Sequence, residues 1–446
     1  MKFEAHRYWT SAIPVDWQWN RVSESFQIIN GFPFSSENFN SNGDGLPLVR
    51  IRDILSSKFT TFYDGQIGSQ VLVTNGDIVI GMDGDFNSCW WDRDVALLNQ
   101  RVAALRPKAN SRLEPRFAFY QVPFSLKIIN DLTPASTVKH LSSGDIAALR
   151  LPSPDLPTQK RIADFLDRET ARIDELIEKK DAFRSLIATL EETRFLARVT
   201  GQDLQGERVN SGVRWIGDLP DGWLAPKFTM VARQESGHTP SRKEPSYWIP
   251  DECIISWVSL ADVWQLRSGK TVYLADTAEK ISAIGMANSS ARLLPAGTVV
   301  LSRTASVGFS GILAKPMATT QDFAAWICGP TIRPKFLYYV LRAMKPEFRR
   351  LMMGSTHQTI YMPDIRAFRT PLPPLAEQDR IIAELDASIS SYRKVHERLT
   401  ESVSMLREYR SALITAAVTG QIDVDAYERA GKTSATLDRI EEEMQA

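Results

Sequence analysis

Cysteine is scarce in this 446-residue chain: Cys89, Cys253 and Cys328 are the only three, far apart and in no C-x-x-C pair. They read as free thiols in a reducing compartment, so a cytoplasmic location is expected. Net charge is absent too, because 53 Lys and Arg balance 53 Asp and Glu. No global basic bias announces nucleic acid, and any such surface must be a local patch. No apolar run approaches the roughly 18 residues of a membrane span, and the opening "MKFEAHRYW" has no apolar signal core. The expectation is a protein neither exported nor held in a membrane.

Catalytic constellations are missing as well. His6, His140, His238, His357 and His396 have neither metal-ligand spacing nor companion cysteines. Gly431-Lys432-Thr433 resembles the end of a phosphate-binding loop, but Ala426 stands where that loop needs glycine, and no buried strand precedes it. Gly308 and Gly311 of "SVGFSG" fit a β-turn better than a nucleotide loop. The Asn/Asp-Pro-Pro-aromatic motif of amino-methyltransferases is absent, since "PLPPL" lacks both its polar and its aromatic end. Neither a metal nor a bound cofactor is expected on this chain.

What the chain does have is one stretch present twice. Residues 151–202 begin "LPSPDLPTQKRIADFLD" and residues 370–421 begin "TPLPPLAEQDRIIAELD"; both end "VTGQ", and Gln159 aligns with Gln378 at an offset of 219 (378 less 159) without a gap. After helix-breaking prolines, each copy continues as a long helix without Gly or Pro until "VTGQ". Steps of four and three from Ile162 select Leu166, Ile173, Leu176, Phe183, Ile187 and Leu190. The same register in the second copy selects Ile381, Leu385, Tyr392, Val395, Leu399, Leu406, Tyr409 and Leu413. Chain order requires the two helices to run antiparallel, as a rod about 60 Å long.

The segments flanking these helices are also alike. Trp9, Pro14 and Trp17 open the first and Trp215, Pro220 and Trp223 the second, at an offset of 206 (215 less 9). Farther in, Gly76 and Gly297, Gln100 and Gln321, Phe117 and Phe336, and Tyr120 and Tyr339 correspond. Runs such as "LPLVRI", "DIVIG" and "ECIISWVSL" between Gly, Asn and Asp turns predict strands. The fold class expected is α+β, with two similar mixed α/β domains separated by an antiparallel two-helix coiled coil. The boundaries are domain 1 at 1–150, helical repeat 1 at 151–202, linker at 203–218, domain 2 at 219–369, helical repeat 2 at 370–421, and an acidic, Ala-rich tail at 422–446.

The repeated stretch "LPPLAEQDRI", its weaker partner "LPSPDLPTQKRI", the paired Trp-Pro-Trp openings and "IGMDGDFN" with "LLNQRV" resemble the specificity subunit of type I restriction-modification enzymes, over essentially the whole chain. The resemblance implies that each domain is a target recognition domain for one half of a split double-stranded DNA site, spaced by the helices. It implies two modification (methyltransferase) subunits on those helices, carrying S-adenosylmethionine and methylating adenine, and motor-nuclease subunits that cut with ATP and magnesium. One departure is Pro157-Thr158 in place of the Ala376-Glu377 pair, which is expected to loosen one helix start. Two rivals stay open: a specificity subunit for a fused nuclease-methyltransferase, and a two-headed protein-binding scaffold.

Base readout needs bidentate or amide side chains on loops that enter a groove. In domain 1 the candidates are Asp83, Asp85, Phe86 and Asn87, then Thr137, Lys139 and His140. In domain 2 they are Arg303, Thr304 and Ser306, then Ser355, Thr356, His357 and Gln358; ordinary turn chemistry is the competing reading. For phosphates the candidates are Lys345, Arg349 and Arg350, in a strip with Arg333, Lys335 and Arg342 opposed by a single Glu347. Gln100 and Gln321, present in both domains, read as structural because a shared residue cannot distinguish two half-sites. Trp90-Trp91 reads as buried packing. Arg168, Arg172, Glu175, Lys179 and Arg184, on the outer helix faces, are candidate docking positions for partner subunits.

Overall fold

A computed structural model describes residues 13–56, 58–67, 72–133, 139–267, 269, 271–352 and 359–445. The chain forms two compact units, residues 1–181 with 398–446, and residues 182–397.

In the first unit, strands Phe26–Asn30, Val102–Pro107, Ile78–Gly81 and Ser88–Trp90 lie side by side, all antiparallel. Ile78 and Ile80 pack on one side with Phe26, Ala118, Val122 and Leu126, whereas Val79 packs on the other with Ile29, Ala104 and Trp91. Burial of both faces explains why "DIVIG" reads as a continuous apolar run and not an alternating one. Helix Pro115–Leu132 starts with Glu114 accepting from the Phe117 amide and Pro115 in the first turn, a favourable start because the nitrogen at that position needs no helical partner.

The second unit repeats this frame. Strands Ala232–Ser236, Phe323–Cys328, Val299–Ser302 and Ser310–Leu313 are antiparallel neighbours in that order, with Tyr273–Leu274 added parallel to the last. Helix Pro334–Ala343 buries Phe336, Leu337, Tyr339, Val340 and Leu341.

The repeated stretches form helices Leu156–Thr200 and Leu375–Val418. Within the first unit Asp174 pairs with Arg410 at 2.8 Å and Asp181 with Arg407 at 3.7 Å. Within the second, Arg194 donates to the Tyr392 hydroxyl at 3.2 Å and Arg198 pairs with Glu384 at 3.2 Å. In each unit, partners fall on one helix as they rise on the other, so the pairing is antiparallel. Ile162, Leu166, Ile173, Leu399, Leu406 and Leu413 are buried in the first unit, and Ile187, Ile381 and Leu385 in the second. Leu176, Tyr392 and Tyr409 are half-buried.

The expected seam fails at three positions. Phe183, Leu190 and Val395 are 50%, 51% and 40% exposed, while Phe195 and Val199, outside the heptad steps, are 4% and 0% exposed. A helix of 3.6 residues per turn drifts about 20° per heptad from a strict seven-residue stripe. Beyond Ile187 burial in the first helix passes to Phe195, which meets Tyr339 edge-on at 5.5 Å, while in the second helix Leu399, Leu406 and Leu413 keep the stripe.

Each long helix is fastened to the domain before it by the glutamine that anchors the repeat. Gln159 Oε1 accepts from the Glu114 amide at 2.8 Å, and its Nε2 donates to the carbonyls of Arg112 at 3.1 Å and Pro154 at 2.8 Å. Gln378 accepts from the Arg333 amide at 2.8 Å and donates to Thr331 and Pro373, both at 2.9 Å. Farther along each helix, Asp167 accepts from Arg116 and Tyr120, and Asp386 from Lys335 and Tyr339. Burial and the adjacent carboxylate push the Tyr120 hydroxyl up to about 12. With Pro157-Thr158 in place the helix still starts at Leu156, and Asp155 Oδ1 accepts from the Thr158 amide at 2.8 Å and caps it.

The helix ends explain the proline and the second tryptophan of each paired opening; Trp9 lies outside the described residues. Gly201 and Gly420 end the two helices at φ of 67° and 71°. A Cβ on Gly201 would lie 2.6 Å from Pro220 Cγ, and one on Gly420 would lie 2.5 Å from Pro14 Cγ. Trp223 and Trp17 lie 3.1 and 3.0 Å from those same positions. After Gly420, helices Val424–Arg429 and Lys432–Gln445 bury Val424, Leu437 and Ile440 against the first unit's helix pair.

Candidate nucleic-acid interface

In each domain three turns are brought together, and equivalent main-chain bonds hold them. In the first, the Val102 amide donates to Asn99 O at 2.9 Å, Asn99 to Val49 O at 3.0 Å, Met82 to Arg101 O at 2.9 Å and Leu141 to Met82 O at 2.7 Å. In the second, Phe323 donates to Thr320 O at 3.3 Å, Thr320 to Val258 O at 2.9 Å, Arg303 to Asp322 O at 2.9 Å and Ile360 to Arg303 O at 2.9 Å. The first two turns correspond at an offset of 221 (322 less 101) and the third at 219 (360 less 141). Candidates that lie apart in the sequence therefore converge: Asp83 bridges His140, and Thr304 bridges Thr359.

Side chains fill this common frame differently. Asp83 pairs with His140 Nδ1 at 2.6 Å and faces Arg101 Nε at 3.5 Å. Lys139 Nζ donates to the carbonyl and side-chain oxygens of Asn130 at 2.7 and 2.8 Å, so it braces the helix end. Asp85 is exposed, and Asn87 is half-buried with its carbonyl taken by the Gly81 amide at 2.8 Å. In the second domain Thr304 Oγ1 donates to Asp322 at 2.6 Å, Arg303 Nε to Gln321 O at 2.9 Å, and Arg267 to Ser306 Oγ at 3.4 Å. Thr137, Ser355, Thr356, His357 and Gln358 lie outside the described residues.

Two expectations need correcting. Phe86 is 2% exposed and belongs to the core with Met82, Leu126 and Leu141. Its φ of 53° turns the chain there, a conformation L residues rarely adopt, so the ring is directed into the domain and cannot reach a base. The basic strip is not opposed by Glu347 alone. Arg333 pairs with Asp379 at 2.9 Å, Lys335 with Asp386 at 2.6 Å, Arg342 with Glu191 at 3.4 Å and Arg350 with Glu347 at 2.6 Å. Lys345 and Arg349 both approach Glu192, at 3.9 and 4.0 Å. Burial, then the neighbouring Arg342, holds the Lys345 ammonium below its ordinary range. Tertiary folding supplies acids that the local sequence does not show.

Two residues that read as structural from the sequence stand beside this cluster. Gln100 and Gln321 are exposed at the apices of the equivalent turns. The turn around Gln100 is held by Asn99 Oδ1, which accepts from the Gln100 amide at 2.6 Å, and the other by Thr320 Oγ1, which accepts from the Asp322 amide at 3.3 Å. The signal that marks them is their position next to residues of opposite charge, Arg101 and Asp322. Trp91 is fully buried as expected, and Arg116 lies 4.6 Å above the half-buried Trp90 ring.

Among the described residues no group of three or more His, Cys, Asp or Glu could hold a metal ion, and no helix is long and apolar enough to cross a membrane. The cysteines are free and half-buried, with burial pushing the Cys328 thiol up to about 12. The two units share one α+β frame whose turn tips carry side chains of different charge. The model of the type I restriction modification DNA specificity domain matches residues 14–182 and 258–403, and the chain belongs to that family. It is similar to the type I restriction enzyme EcoBI specificity subunit of Escherichia coli, 26% identical over 423 residues that cover 91% of this chain and 86% of the relative. The MjaVIII specificity subunit of Methanocaldococcus jannaschii is 20% identical over 433 residues, covering 92% and 94%. A solved chain, described in work on complex assembly and conformational transition of the type I R-M system, shares the fold at a TM-score of 0.68 and 19% identity, over 92% of this chain and 100% of that one.

Proposed function

We propose that this chain is the sequence-specific DNA-recognition subunit of a type I restriction-modification complex, reading a bipartite target with one half-site per domain. The supporting observation is that both domains hold three turns in one main-chain frame while the side chains at the turn tips differ in charge and hydrogen-bonding type. A common frame delivers the turns; the tips choose the bases. The chain is non-catalytic by itself. Two modification subunits carry S-adenosylmethionine and methylate adenine, and motor-nuclease subunits use ATP and magnesium to cut unmodified DNA. The proposed domains are residues 1–150 and 219–369, with the helical repeats 151–202 and 370–421 as spacers and partner-docking surfaces.

Methylome sequencing of a host expressing the chain with its modification subunits tests this reading. Adenine methylation at one split site is expected only when both are present. Methylation by the purified chain alone, shown partner-free by mass spectrometry, would contradict it.

A further inference from the structure

We infer that the two turn apices, Gln100-Arg101 and Gln321-Asp322, are a matched pair of base readers: each Gln reads the same kind of base pair in its half-site, and the residue after it sets the neighbouring preference. This rests on the DNA-recognition reading above and names the residues that carry it.

Four observations place these side chains equivalently. The turns are held by the same main-chain bonds at both ends. Phe32 and His238 amides donate to the carbonyls just before each turn, Leu98 at 2.9 Å and Thr319 at 3.1 Å. Gly31 and Gly237 both back the turns closely: a Cβ on the first would lie 1.8 Å from Asn99 O and 2.8 Å from Leu98 O, and one on the second 1.7 Å from Thr319 O, the counterpart of Leu98 O. Both glutamines are exposed at the apex, and none of the bonds that hold the turn uses their side chains.

Chemistry then separates the constant position from the variable one. A glutamine amide both donates and accepts, and pairs bidentately with the adenine edge in the major groove. The Gln321 Oε1 accepts from Thr239 Oγ1 at 2.8 Å, which orients the amide and leaves its donors and a second lone pair available. Among the described residues the Gln100 side chain has no such brace. The next residue is a cation in one turn and an anion in the other. Arg101 is held at 3.5 Å from Asp83, and a guanidinium suits guanine O6 and N7. Asp322 is oriented by Thr304 at 2.6 Å and Thr320 at 3.2 Å, and a carboxylate suits the amino group of cytosine. A residue shared by both domains is thus no obstacle to discrimination, because the half-sites differ at the neighbouring base.

The test is selection by the assembled complex with its modification subunits from duplexes randomised in both half-sites and in the gap. Gln100→Ala and Gln321→Ala should each relax one A·T position, in different half-sites, by roughly 5- to 150-fold. Arg101→Gln should relax an adjacent G·C position in the first half-site, and Asp322→Asn an adjacent C·G position in the second. If the parent complex selects a split site and the four variants select it unchanged, or bind all duplexes uniformly more weakly, the inference is overturned while the recognition reading stands. If the parent complex selects no split site, the recognition reading itself fails.

Discussion

The two domains are most alike where they meet the long helices and least alike where their turns reach outward. At the helix starts, Gln159 and Gln378 make the same three hydrogen bonds. At the turn tips, Asp83 and Thr304, or Arg101 and Asp322, occupy matching places with different charge. The fastening glutamines are buried and shared, whereas these tip residues, exposed at Arg101 and half-buried at Asp83, Thr304 and Asp322, differ between the domains. Stability and choice of target are therefore carried by separate residues, so mutations should divide into two classes.

The largest effects should come from the helix faces. Phe195→Ala removes a buried ring and should cost about 3–5 kcal/mol, whereas Leu190→Ala, at a 51% exposed seam position, should stay within about 0.5 kcal/mol. Thermal or urea unfolding of the two variants decides between the observed packing and a strict heptad seam; equal losses would restore the heptad. Next come the shared glutamines. Gln159→Ala and Gln378→Ala each remove three hydrogen bonds to mostly part-buried main-chain groups, and each should cost about 1–3 kcal/mol. A large loss from one and none from the other would break the equivalence of the two domains.

Gly201→Ala and Gly420→Ala should each cost at least about 1–2 kcal/mol, since alanine resists a positive φ and its Cβ meets a proline ring. The smallest effect is Asp155→Ala, detectable at neutral pH as a lowered unfolding midpoint. Hydrogen bonds from Thr158 hold the Asp155 carboxyl below its ordinary value. A carboxyl whose folded value is depressed stabilises above its unfolded value and loses that contribution as pH falls through the folded one. Parent and variant should therefore converge in acid, and a difference that persists there would assign Asp155 another role.

Much of the fold is legible in the sequence because the duplication supplies an internal comparison. The 219-residue offset alone exposes the anchoring glutamines, the capping glycines and the helical repeats. The full buried stripe is not legible, because heptad counting neglects helical drift and the domain that captures Phe195. The candidate site is half legible. The turns at 83–87 and 139–140 each carry groove-reading residue types, but only the fold brings Asp83 to His140. Phe86 escapes a reading by residue type because its inward direction follows from a backbone angle. The basic strip escapes it because Glu191, Glu192, Asp379 and Asp386, distant in sequence, neutralise it.

The most direct test of two independent readers on one frame is a domain exchange. Residues 1–150 would be replaced by the same region of a relative with a different target, and the methylated site of the assembled complex sequenced. One half-site alone should change, with the other retained. A change in both half-sites, or in neither, would contradict the account.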